Sequence, residues 1–142
     1  MDDFKISLFE NEYKIPFPVY SVLDELSCHK LKDQISGKYN LNVLNIEHDL
    51  TLKQSFYKDS NAGEGFQLIS VLLAIGISPL SEVFINWYQF KRLDEFELKD
   101  LDKYFGDIWF PVADDIDLFD KTLEWILSIR HDGCITFCKC NT

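Results

Sequence analysis

The stretch Trp125-Ile126-Leu127-Ser128-Ile129-Arg130-His131-Asp132-Gly133-Cys134-Ile135-Thr136-Phe137-Cys138 decides the fold. Large apolar residues alternate at Trp125, Leu127 and Ile129, and again at Ile135 and Phe137, with His131-Asp132-Gly133 between them. Period-two alternation on both sides of a turn signal reads as a β-hairpin. A two-residue loop, Asp132-Gly133, would set Ile129 opposite Thr136 and Leu127 opposite Cys138. A three-residue loop sets Ile129 opposite Ile135 and Leu127 opposite Phe137. Opposed residues share a face, so only the second register gathers the large apolar side chains on one side. A three-residue loop also wants Gly at its last position, in the left-handed conformation, and Gly133 stands there. In this register Cys134, Thr136, Cys138 and Cys140 share the other face with Ile126, Ser128 and Arg130.

Working back from the hairpin, Ile116 and Leu118 alternate with Asp115 and Asp117, as a strand with one wet face would. Leu93, Phe96, Leu101, Tyr104, Phe105 and Ile108 recur at helical spacing, and Asp94, Glu95 and Glu97 would complement the dipole of that helix's first turn. Gly106 and Pro111 mark its end. Glu82 to Phe90 is aromatic and β-branched and reads as a strand. Phe66 to Ile75 reads as a buried helix or a buried strand, its length and its end at Gly76 favouring helix, and Asp59 to Gly65 reads as a loop. Leu41 to Ile46 and Leu50 to Tyr57 are short segments open to either assignment. Val19, Val22, Leu23, Leu26, Leu31 and Ile35 read as a helix stopping at Gly37. Phe4, Ile6 and Leu8 alternate as a first strand. The expected fold is α+β: one domain over residues 1–142, a mainly antiparallel sheet with helices packed on it, ending in the hairpin.

With 46% hydrophobic residues and 21 aromatic rings among 142 residues, the chain has the material for a packed core and not the composition of a disordered segment. Its charge is lopsided. Asp94 to Asp120 carries ten acids against Lys99 and Lys103, a net −8 of the total −10. A domain charged in this way repels nucleic acid and anionic lipid and attracts basic surfaces. Met1-Asp2-Asp3 offers no basic start to a signal peptide, and Phe66 to Ile77 is too short for a membrane span. Three of the four cysteines crowd residues 134–140, a poor disulfide framework, so reduced thiols and a cytoplasmic location are expected.

No reading of the residues assembles a catalytic motif, and the expectation is a protein that is not an enzyme and carries no cofactor. A calcium loop needs alternate oxygens and a Gly, whereas Ile116, Leu118 and Phe119 separate the acids of Asp114 to Asp120. Cys138 and Cys140 have the wrong spacing for a zinc pair, and Cys28 beside His29 would diverge on a helix. Asn61 to Gly65 lacks the Lys and Ser/Thr of a phosphate-binding loop. Lys91-Arg92 is too little for a nucleic-acid stripe. Trp87, Trp109, Trp125, Tyr104 and Phe110 read first as core. Trp109-Phe110, set between Asp107 and Asp114, are the candidates for an exposed aromatic anchor, where a partner's Lys or Arg would meet a carboxylate and a ring face together.

The text Trp109-Phe-Pro-Val-Ala-Asp-Asp-Ile-Asp-Leu-Phe-Asp120, followed by Leu123-Glu-Trp-Ile-Leu-Ser-Ile-Arg-His-Asp-Gly133, is similar to C-terminal segments of small acidic bacterial immunity proteins of contact-dependent and other polymorphic toxin systems, including relatives of the SUKH-type group. The resemblance covers about 30 residues of the 142. It implies a protein that binds and neutralises a cognate toxin domain. Many such toxins are nucleases with basic grooves, whose electrostatic footprint an array of carboxylates matches. The contact expected from charge and resemblance together is Asp107, Trp109, Phe110, Asp114, Asp115 and Asp117. The alternatives are a cytosolic interaction adapter without inhibitory role and a carboxylate-dependent hydrolase.

Overall fold

The computed structural model describes residues 1–140. Its frame is a seven-stranded antiparallel sheet, so the fold is α+β. In chain order the elements are α1 (Asp3–Tyr13), β1 (Tyr20–Val22), α2 (Glu25–Tyr39), a 3-10 turn (Val43–Asn45), α3 (Ile46–Lys53), β2 (Ser55–Tyr57), α4 (Leu68–Ile75), β3 (Glu82–Tyr88), β4 (Arg92–Glu97), α5 (Leu98–Lys103), α6 (Phe105–Ile108), β5 (Ile116–Phe119), β6 (Trp125–Ile129) and β7 (Ile135–Lys139). Across the sheet the order is β1-β4-β3-β5-β6-β7-β2. The hairpin pairs Leu127 with Phe137 and Ile129 with Ile135, the register expected from the sequence, and Gly133 takes φ 86°.

Both faces of the sheet are covered. On one face Val83, Ile85, Phe96, Ile116, Leu118, Leu127 and Ile129 pack against Phe9, Leu68, Leu72, Leu101, Phe105 and Ile108 from α1, α4, α5 and α6. On the other face Phe84, Leu93, Phe119, Ile126 and Cys138 pack against Cys28, Ile35, Tyr39, Ile46 and Leu50 from α2 and α3. A strand buried on two faces has no need to alternate, and this corrects two of the sequence expectations. β5 has no wet face, since Ile116, Asp117, Leu118 and Phe119 are all buried. The helix expected from Leu93 begins as strand β4 instead. Leu93 and Phe96 point to opposite faces into the two different cores, and their three-residue spacing imitates a helix. Helix resumes only at Leu98.

The N-terminal third also departs from expectation. Phe4 to Phe9 belongs to a helix, capped by the Asp2 carboxylate, which accepts from the Phe4 amide at 3.0 Å. Its inward positions are Lys5 and Phe9, four apart, and Phe4 and Leu8 of the apparent alternation face solvent. The helix expected from Val19 starts later, because Asp24 caps it by accepting from the Ser27 amide at 2.7 Å. An aspartate three residues upstream of an amide it can satisfy is a strong start signal. Gly37 lies inside α2, and Asn40 in the left-handed conformation ends it. The helix before Gly76, the loop over 59–65 and the strand from Glu82 stand as expected.

Candidate functional site

Most of the acidic stretch is occupied by the molecule itself. Asp117 sits on the α2/α3 face of β5 and is 1% exposed. It lies in a row of polar residues that crosses four strands, because Asn86 pairs with Asp117, Asp117 with Ser128 and Ser128 with Thr136. Its carboxylate accepts from Asn86 Nδ2 at 2.8 Å, from Arg130 at 3.1 Å and from the Ser128 hydroxyl. Gln54 closes the row, donating to Ser128 Oγ at 2.6 Å and accepting from Thr136 Oγ1 at 2.9 Å.

Glu47 of α3 joins this row at its other end. Its carboxylate accepts from Asn86 Nδ2 at 3.2 Å and from the Gln89 amide at 3.0 Å. Burial, with the Asp117 charge next, pushes Glu47 up to about 6. Asn86 Oδ1 accepts from the Tyr88 and Phe90 amides at 3.2 and 2.7 Å. Together Glu47 and Asn86 hold the β3–β4 turn, where Gln89 and Phe90 both take positive φ without being glycine. Nothing in the sequence around Glu47 announces this role, since its partners come from 39 and 42 residues away.

The remaining acids have similar internal work. Asp120 is fully buried and accepts from the Leu80 amide at 3.0 Å, Trp125 Nε1 at 2.9 Å and the Thr122 amide at 2.9 Å. Asp94 accepts from Trp87 Nε1 at 2.9 Å and meets the Met1 ammonium at 2.5 Å. Asp102 accepts from the Ile69 amide at 3.0 Å, in the first turn of α4, where a carboxylate also suits the helix dipole. Buried or half-buried carboxylates with these donors lock the chain to itself.

The expected contact residues therefore divide. Trp109 is 3% exposed, stacked on Phe105, with Nε1 donating to the Asp114 carbonyl at 2.9 Å. It is core and offers no anchor, and buried Asp117 offers none either. Asp114 accepts from Lys5 Nζ at 2.5 Å and from the Phe110 amide at 2.8 Å. Lys5 itself is buried, donates to the Ile108 carbonyl at 2.8 Å, and lies 4.8 Å from the Phe110 ring centroid. The cation expected from a partner at Asp114 and Phe110 is thus supplied from within the chain, by α1. Asp115 and Asp107 stay nearer solvent. Burial pushes Asp115 up, but hydrogen bonds from the His131 amide and ring at 2.7 and 3.0 Å outweigh it and hold the carboxyl below its usual value. Asp107 accepts from the Tyr13 hydroxyl at 2.9 Å, and that bond raises the phenol to about 12.

Besides Asp107 and Asp115, which bond to Tyr13 and His131, the acids that the stretch leaves at the surface are at its beginning. Glu95 and Glu97 of β4 and Asp100 of α5 join Glu82 of β3 around one corner of the sheet. All four cysteines are free thiols, and burial raises Cys138 to about 12, which makes it a poor nucleophile. Among the described residues no three His, Cys, Asp or Glu side chains gather in a way that would hold a metal ion, and no helix is long and apolar enough to cross a membrane. No protein-family model, no curated protein and no solved structure matches this chain.

Proposed function

We propose that the protein is a stoichiometric inhibitor of the immunity type, which binds a basic toxin domain and blocks its working surface. The observation that carries this reading is the charge: −10 over 142 residues, with Glu82, Glu95 and Asp100 left free of internal partners at one corner of the sheet among the described residues. Carboxylates fixed on a rigid sheet match the potential of a groove built for phosphates, and they steer a basic partner into contact before damage accumulates. The tail resemblance to immunity proteins of polymorphic toxin systems points the same way. An adapter without inhibitory role is the competing reading, and it shares the same electrostatics.

Co-expression separates the two. A basic domain encoded in a neighbouring reading frame, where one is found, is induced in cells with and without this chain. The inhibitor reading expects growth to be restored and the toxin to co-purify one to one. Binding without protection would favour the adapter.

A further inference from the structure

The sheet ends in two free edges, and they are guarded differently. β2 is flanked by Lys53 and Lys58, charged residues of the kind that keep an edge from recruiting a foreign strand. β1 has no basic residue beside it, only Pro18 before it and Asp24 after it, and Val19 and Val22 are 87% and 69% exposed. The Leu23 amide donates to the Leu93 carbonyl at 3.0 Å, so Leu23 and Leu93 form a hydrogen-bonded pair. Such pairs alternate along an antiparallel ladder. Ser21 therefore bonds inward to Glu95, and Tyr20 and Val22 turn their N–H and C=O groups outward, to the open edge.

Beside this edge lies a shallow groove of about 260 Å³, bordered by Val19, Ser21, Glu82, Glu95, Glu97 and Asp100. Glu97 meets Lys99 at 3.3 Å. Glu82, Glu95 and Asp100 have no ion pair and no side-chain hydrogen bond among the described residues. Ser21 and Glu95 are directly opposed and share a face, as do Glu82 and Glu97. A strand added to β1 would lie two strand spacings from β4, roughly 9–10 Å. Across that gap the only side chain in the way is the small Ser21. A long basic side chain placed opposite Ser21 lies over it with its stem and reaches Glu95 with its charge.

We infer that β1 is a docking strand for an extended, basic segment of a partner protein, which adds to the sheet as an eighth strand. Main-chain bonds to Tyr20 and Val22 fix the register, and Lys or Arg at alternate positions answer Glu95 and Glu97 of β4. This rests on the reading of a basic protein partner and names where that partner is held.

The test titrates the labelled whole chain with a seven-residue peptide, Thr-Arg-Val-Arg-Val-Arg-Thr, and with its glutamate counterpart, followed by NMR. The arginine peptide is expected to shift the Tyr20 and Val22 amides saturably and slow their hydrogen exchange, while the glutamate peptide leaves them unchanged. Glu95→Gln, at a half-buried position, and Ser21→Tyr, at an exposed one, are each expected to weaken binding roughly tenfold. Unchanged Tyr20 and Val22 amides, or binding by both variants as tight as by the parent chain, would overturn the docking strand. Cell protection that survives both variants removes this edge and leaves the inhibitor reading standing. Peptide binding at the edge by a chain that protects no cell does the reverse.

Discussion

Asp117 shows how position in the sheet decides what a carboxylate does. One strand register places it beside Asn86 and Ser128, and at 1% exposure it gathers donors from β3, from β6 and from Arg130 just beyond it. Removing it strands those donors in the interior, and breaking a buried, paired charge costs about 3–5 kcal/mol. Asp117→Ala is therefore expected to lower the urea midpoint sharply, whereas Asp115→Ala, at an exposed carboxylate, changes it little. Glu47 makes a second prediction. Its carboxyl lies near 6 in the folded chain and nearer 4.5 when unfolded. Between those values the folded state holds the proton more tightly, so Glu47 makes stability fall as pH rises through that window. Glu47→Gln keeps an oxygen for the Gln89 amide and removes the titration. Urea unfolding between pH 4 and 7, at roughly half-unit steps, is expected to show a shallower decline for the variant than for the parent chain. Parallel curves would mean that Glu47 does not feel its burial.

At the scale of elements, the hairpin was legible because everything that sets it is local. Alternation, loop length and one glycine agreed on a single register, and β6 and β7 pair in that register. Gly133 has φ 86°, and a Cβ there would meet the Ala62 amide nitrogen at 3.5 Å and the Asn61 side chain at 3.6 Å, ordinary contacts. Gly133→Ala is accordingly expected to cost about 1–2 kcal/mol from backbone strain alone, measured by chemical denaturation. A loss near zero would show the loop relaxing to another turn. β4 and α1 were not legible for a physical reason. Leu93 and Phe96 are buried on opposite faces, so the strand lost its period of two. In α1 one of the two inward residues is a lysine, so no apolar pattern marks the helix. Lys5 ties α1 to the far end of the chain through Ile108 and Asp114. Lys5→Ala leaves the half-buried Asp114 without its cation, and faster proteolysis within α1 is the expected consequence.

For the whole molecule, the acidic stretch has been reapportioned. Asp94, Asp102, Asp114, Asp117 and Asp120 are spent on internal donors, and two of the six contact residues read from the sequence, Trp109 and Asp117, lie in the interior. Charge counted along a sequence cannot distinguish a carboxylate that solvates a surface from one that locks a sheet, because the donors come from distant segments. Net charge is unaffected by that division. The net −10 persists outside the molecule, and on the proposed reading this field steers a basic partner toward it. The direct measurement is the association rate of the chain with such a basic domain from a neighbouring reading frame, followed by stopped flow as ionic strength rises from about 0.01 to 0.15 M, which shortens the Debye length from about 30 to 8 Å. A one-to-one complex is expected, with an association rate that falls at least about tenfold over that range. A rate indifferent to salt, or no one-to-one complex at all, would contradict it.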